Sequence, residues 1–382
     1  MKRVVVALFF FLFFFFSTVI LSRPTAGNAS EDRYLRVDGP CDFVFPRDHG
    51  DHPGYRVEWW YYTGNLTTDR GARYGFQLTF FRTQINPSYQ EEVPPAVRSA
   101  WRTKQLYFAH TALSSIDDSQ FDFDEKMARG AVGLAGVERS ENSARVFLGP
   151  WSVLMEPGKH RLKAITERFG LDLVLIPTKP PVPHGIRGYS LKGSKPESAS
   201  CYYSFTRLKA AGSVNMGGKS VLVNGTAWMD HEFSSAPLEE NLTGWDWFSI
   251  QLEDRTELMI YLLRRKDNDY SGASSGTFIT RSGKSLHLNK EDFQADVVDH
   301  WKSERSGAIY PLRWRIRVFP IKLDLTVVPN MADQELITER TTRVSYWEGS
   351  VSVNGHYVDR SIDGDGYVEM TGYAKPFLLL EQ

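Results

Sequence analysis

Trp228-Met229-Asp230-His231-Glu232-Phe233 sets two carboxylates and an imidazole in consecutive positions, and Gly244-Trp245-Asp246-Trp247-Phe248 follows closely. In an extended strand alternate side chains share a face, so Trp228, Asp230 and Glu232 stand together, opposite Met229, His231 and Phe233. A carboxylate beside indole rings loses solvation, which raises its pKa and suits it to donate a proton near neutral pH. Such an acid can protonate an alkene or an enol. Asp230 and His231 also suit a hydrogen-bonded seam between two domains, the simpler expectation, and the residues alone leave both readings open. No metal is expected, because neighbours in a strand point apart and no second His follows at ligand spacing.

His110, in Leu106-Tyr107-Phe108-Ala109-His110-Thr111, is a lone imidazole in an apolar strand, either hydrogen-bonded at the core or lining a ligand site. Tyr346-Trp347-Glu348-Gly349 and Tyr367-Val368-Glu369 again place carboxylates among aromatics, where the simplest expectation is pairing with a strand-end Arg264 or Arg82. In Val57-Glu58-Trp59-Trp60-Tyr61-Tyr62-Thr63, Glu58, Trp60 and Tyr62 share one face and Trp59, Tyr61 and Thr63 the other. One set should pack a core and the other meet a ligand or a neighbouring domain. No Gly-x-Ser-x-Gly nucleophile elbow or phosphate-binding Gly-x-x-x-x-Gly-Lys-Ser/Thr is present, and Gly217-Gly218-Lys219-Ser220 reads as a hairpin turn.

The elements that must position these residues are strands. Apolar and polar residues alternate over 74–82, 170–177, 219–229, 247–254, 257–264, 312–320, 322–329 and 349–358, with turn residues between them. Short helical pieces are expected near Pro94–Lys104 and Asn289–Asp296. An internal repeat relates the hairpin from Trp60 to Arg82 to the one from Trp247 to Arg264, and Ser220–Gly225 echoes Ser350–Gly355. The fold class is therefore all-β, in two tandem antiparallel domains of similar plan, with a polar, turn-rich seam near residues 232–243. Closing each sheet into a barrel would remove its exposed edges.

Lys2 and Arg3, an apolar run from Val4 and small residues ending at Ala29 have the form of a signal peptide, residues 1–29, which places the protein outside the cytoplasm, secreted or periplasmic. The alternative is membrane association through an uncleaved anchor over residues 4–22. Removing Lys2, Arg3 and Arg23 takes 45 basic against 46 acidic residues to 42 against 46, so there is no electrostatic case for nucleic acid. Cys41 and Cys201 either pair or do not, since sequence cannot supply their separation.

Glu58-Trp59-Trp60-Tyr61, Phe108-Ala109-His110, Ala199-Ser200-Cys201-Tyr202-Tyr203-Ser204, Asp230-His231-Glu232-Phe233, Gly244-Trp245-Asp246-Trp247, Tyr346-Trp347-Glu348-Gly349 and Thr371-Gly372-Tyr373 occur in order between about residues 44 and 374. Together they resemble the lipocalin-like family that contains the carotenoid 1,2-hydratases, the AttH-type proteins and predicted secreted hydrolases. The resemblance implies two lipocalin-like β-barrels in tandem, residues 34–232 and 243–382. It implies an apolar polyene or terpenoid-like ligand, hydrated or isomerised without a cofactor. In that reading Asp230 donates the proton, His231 orients it or positions water, and Trp60, Trp245 and Trp247 stack on the ligand. His110, Trp228 and Tyr261 complete the expected ligand-binding set. The sequence has Phe233 where the family pattern expects Trp, and Leu263 near where a second acid would help. The alternatives are a non-catalytic lipid or pigment carrier built from the same aromatics and, if the N-terminal anchor is retained, a structural partner of a membrane transport system.

Overall fold

A computed structural model describes residues 34–85, 99–267 and 269–376. The expected signal peptide or anchor, and Pro94–Arg98 of the first expected helix, lie outside the described residues. Strands β1 (Val57–Thr67), β2 (Arg73–Gln84), β3 (Gln105–Ser115) and β4 (Gln120–Arg129) form a meander. Next come β5 (Ala135–Arg139), β6 (Ala144–Leu148), β7 (Trp151–Glu156), β8 (Lys159–Ile165) and β9 (Phe169–Pro177). Short β10 (Val182–Pro183) and β11 (Tyr189–Leu191) and long β12 (Ala199–Met216) and β13 (Lys219–Ser234) complete the first sheet. Its antiparallel order is β4-β3-β2-β1-β13-β12-β9-β8-β7-β6-β5, with β10 and β11 laid on β12.

The second sheet holds β14 (Leu242–Leu252), β15 (Glu257–Arg265), β16 (Ser275–Ile279), β17 (Ser285–Leu288), β18 (Phe293–Lys302), β19 (Ile309–Val318), β20 (Leu323–Pro329), β21 (Glu335–Ile337), β22 (Ser345–Tyr357) and β23 (Arg360–Met370). Its order is β17-β16-β15-β14-β23-β22-β20-β19-β18, with β21 on β22. Each sheet coils around its own apolar interior. In the first, Trp60 packs with Phe76, Leu78, Phe80, Val146, Trp151 and Leu171, drawn from strands well separated in the sheet order. The second interior is built from Phe248, Ile250, Leu258, Trp314, Leu325, Val351 and Val368.

A third apolar cluster lies between the two sheets and takes Tyr61, Tyr202, Trp228, Trp247, Met259, Tyr261 and Tyr367 from their outer faces. Strands covered on both faces lose the polar half of the alternation. This is why β1 and β2 are buried almost throughout. Gly75 on β2 permits the close approach, since a Cβ there would stand 2.8 Å from the Ser350 Cβ on β22.

The hairpin repeat has a structural basis: β1–β2 and β14–β15 hold corresponding places in the two sheet orders. The Ser220–Gly225 and Ser350–Gly355 echo does not, because β13 corresponds to β23 whereas the second segment lies in β22. The expected helix over Asn289–Asp296 is only a 3-10 turn, Lys290–Asp292, capped by Asn289, and Phe293 already begins β18. Residues 99–104 contain no helix. Cys41 and Cys201 are disulfide-bonded, with Cα atoms 5.9 Å apart, which ties the segment before β1 to β12.

Candidate active site

Between the sheets lies a cavity of about 210 Å³, and strand parity decides which residues reach it. From the first sheet Trp59, Tyr61, Asp230 and Glu232 line it, and from the second Trp245, Trp247, Tyr261, Glu348 and Glu369. The register brings these together. Tyr61 lies opposite Asp230 on the β1–β13 ladder, Trp247 opposite Glu369 on β14–β23, and Glu348 opposite Glu369 on β22–β23.

Asp230 is 4% exposed and receives three hydrogen bonds. The Trp228 indole donates to Oδ1 at 2.6 Å, the Ser204 hydroxyl donates to the same oxygen, and the Tyr202 hydroxyl donates to Oδ2 at 2.9 Å. Tyr202 is itself fixed as a donor to Asp230, because its oxygen accepts from Trp247 Nε1 at 3.1 Å. Behind Ser204, His184 Nε2 lies 2.6 Å from the hydroxyl and Nδ1 lies 2.9 Å from Thr277 Oγ1. With Ser204 donating to Asp230, His184 must donate from Nε2 and accept at Nδ1. Burial pushes the Asp230 pKa up to about 7; the bonds from Ser204, Trp228 and Tyr202 pull down, and Glu232 adds to the rise. The group is therefore protonated over part of the neutral range, and the three donors would stabilise its carboxylate form.

The other acids of the cavity differ in their partners. Glu232 accepts from Ser200 and pairs with Lys192 at 3.0 Å. Lys192 also lies 4.1 Å from the centre of the Tyr261 ring. Glu369 accepts from Trp245 Nε1 at 3.0 Å, and burial, reinforced by Asp230 and Glu232, raises its pKa to about 7. Glu348 pairs with neither Arg264 nor Arg82, contrary to the sequence expectation. Arg82 is bound to Glu58 and Arg264 to Asp246, both on the barrel-facing sides of their strands.

Asp230 and His231 do not face the same space. His231 points into the first barrel, where its Nε2 lies 2.8 Å from Glu58 Oε1 and its ring stacks on Trp60 at 4.8 Å. Trp60 accordingly packs the barrel interior and does not line the cavity; its strand neighbours Trp59 and Tyr61 do. Trp228 stands behind Asp230 as a donor, outside the lining. His110 reaches the cavity wall, but both its nitrogens are occupied, Nδ1 by Tyr346 and Nε2 by Thr341, each at 2.8 Å. It is a latch between the sheets. Trp245, Trp247 and Tyr261 line the cavity.

His52, Glu58 and His231 do bring ligand-type atoms within 4.8 Å of one another, using partners distant in sequence. Glu58 is nonetheless committed elsewhere: Oε2 accepts from Arg82 Nε and from the His52 backbone N–H, each at 2.8 Å. Burial would raise the Glu58 pKa, but His52, His231 and Arg82 hold it well below the usual carboxylate range. This is an ion-pair network inside the barrel mouth, and Phe233 closes it by stacking on His52 at 3.7 Å.

Sequence reasoning missed Trp59, Tyr61, Ser204, Tyr202 and His184. The parity of the aromatic run offered Trp59 and Tyr61 as an alternative set. The pairing of β12 with β13, which sets Ser204 opposite Asp230, had no local signal.

A family model described as AttH-like matches residues 36–373. Among solved structures, an AttH-type protein from Nitrosomonas europaea is similar at TM-score 0.77 and 33% identity, over 89% of this chain and 100% of that one. Kievitone hydratase from Nectria haematococca shares the fold at TM-score 0.67 and 14% identity, over 90% of this chain and 97% of that one. In sequence, kievitone hydratase from Fusarium solani subsp. phaseoli is 25% identical over 181 residues, 44% of this chain and 48% of that protein. The chain therefore matches about half the length of this curated relative. The family match over nearly all the described residues, and the Nitrosomonas structure at full coverage, establish that this chain belongs to the AttH-like family.

Proposed function

We propose that the cavity between the sheets takes an apolar, unsaturated small molecule and that Asp230 protonates its carbon–carbon double bond, hydrating or isomerising it. The observation that carries this reading is a buried carboxyl with a pKa of about 7, held by three donors in an aromatic-walled cavity. A carboxylic acid is a weak acid for an alkene, so the double bond should be branched, giving a tertiary cation. The ring faces of Trp59, Trp245 and Trp247 would stabilise that charge. In hydration, the Asp230 proton forms the new C–H bond, water oxygen forms the C–O bond, and the proton released by water returns to the Asp230 carboxylate. In isomerisation the cation returns a neighbouring proton to Asp230 instead. Neither route requires a cofactor.

Membership of a family that shares its fold with a protein named as a hydratase supports this reading. Export from the cytoplasm belongs to the same proposal, and the Cys41–Cys201 disulfide supports it. Among the described residues no helix is long and apolar enough to cross a membrane. The test is to incubate the protein with branched alkenes, geraniol first, and follow products by mass spectrometry. Addition of one water, or an isomer of unchanged mass, is expected with wild type and not with Asp230→Asn; recovery of every alkene unaltered would support the carrier reading instead.

A further inference from the structure

We propose that Glu348, with the Tyr61 hydroxyl beside it, anchors a hydroxyl group on the ligand, so that the substrate is an oxygenated alkene and not a bare hydrocarbon. This rests on the reading of the inter-sheet cavity as the ligand site. Glu348 is fully buried on β22 and lines that cavity, yet among the described residues neither carboxyl oxygen has a hydrogen-bond partner. The Tyr61 hydroxyl, buried on the opposite wall, is near enough to pull the Glu348 pKa down, but the two do not meet in a hydrogen bond of good geometry. The contrast is with the neighbouring acids: Asp230, Glu232 and Glu369 each accept from a named donor. Leaving a buried polar group unpaired is costly, so a feature of this kind is expected where an external group supplies the bond.

The chemistry of that group follows from the surroundings. Burial, with Glu369 directly opposite on the ladder, drives the Glu348 pKa well above its ordinary value, which favours the neutral carboxyl, a group with one donor and one acceptor. Tyr61 offers another of each. A ligand hydroxyl matches this pair, accepting from one and donating to the other. A hydrocarbon would leave Glu348 and Tyr61 with no partner but each other, at the poor geometry seen here, and an anionic group would meet the acids that line the same space. An ammonium group would require Glu348 to ionise in a site that disfavours its charge. Glu348 belongs to the second sheet and Asp230 to the first, so a hydroxyl held at Glu348 would fix how the rest of the molecule lies against the acid.

The test uses geraniol and the hydrocarbon in which hydrogen replaces its hydroxyl, titrated against intrinsic tryptophan fluorescence. Wild type should bind geraniol about tenfold or more tightly than the hydrocarbon, the scale of one buried hydrogen bond. Glu348→Leu should reduce that ratio to within about twofold while hydrocarbon affinity holds or improves. Glu348→Gln, which keeps a donor and an acceptor, should retain part of the preference, and Tyr61→Phe should weaken it. Equal affinities in wild type, or a preference that survives Glu348→Leu, would overturn the anchor while leaving the cavity reading intact. A Glu348→Leu melting temperature below wild type would also count against it, since removal of an unpaired buried acid should not destabilise the fold. Quenching by neither probe would overturn the cavity reading and the anchor with it.

Discussion

Asp230 and His231 are adjacent in β13 and face opposite sides of the first sheet, Asp230 toward the inter-sheet cavity and His231 toward Glu58 at 2.8 Å inside the barrel. One strand thus serves two separate polar systems. The first has the features of a reactive acid and the second those of a structural network, and substitutions should separate them.

Replacing Glu58 with Gln should act on stability. It removes the charge between buried Arg82 and His231 and leaves the guanidinium without its counter-ion, which typically costs about 3–5 kcal/mol. Chemical denaturation should show that loss, while the protein that remains folded keeps its ligand affinity.

Trp59 and Trp60 should likewise behave differently despite being neighbours. Trp60 is fully buried in the barrel interior, so Trp60→Ala should cost about 3–5 kcal/mol of stability. Trp59→Ala trims the cavity wall, so it should weaken geraniol binding with a smaller effect on denaturation.

The pH dependence follows from the Asp230 pKa of about 7. Proton donation requires the acid form, so the rate should fall as pH rises through about 7. Glu369 titrates in the same range and interacts with Asp230, so the observed limb belongs to the pair. Stability carries the opposite lesson from a salt-bridged acid. Because the folded pKa is raised, the native state holds its proton longer than the unfolded chain, and stability falls as pH rises from about 4 to about 7. The loss from Asp230 is at most about 4 kcal/mol. Asp230→Asn should therefore lose activity, and its melting temperature should fall less than that of wild type between about pH 4 and about pH 7, as differential scanning calorimetry would show.

Cys41→Ser should release the segment before β1 from β12. A stability loss of about 2–4 kcal/mol is expected, with faster amide exchange over residues 41–55.

Period-two alternation made the strands legible, and the aromatic hairpin repeat made the two-sheet plan legible. The choice between Trp59 and Trp60 was not, because both faces of β1 are covered and the alternation that would distinguish core from cavity is lost. Asp230 could be picked out from its aromatic neighbours in sequence. Its donors Tyr202 and Ser204 could not, because they lie 28 and 26 residues away and reach it only through the ladder between β12 and β13. The anticipated Glu348–Arg pair failed because both candidate arginines are bound to acids on the barrel-facing sides.

Label incorporation tests proton donation by Asp230 most directly. Geraniol turned over in deuterium oxide enriched in heavy oxygen should give a product carrying one non-exchangeable carbon-bound deuterium and, if hydrated, one heavy oxygen. Asp230→Asn should reduce this labelling by about a hundredfold or more while binding geraniol within about twofold of wild type. A product formed without carbon-bound deuterium, or labelling by Asp230→Asn at the wild-type rate, would contradict the account.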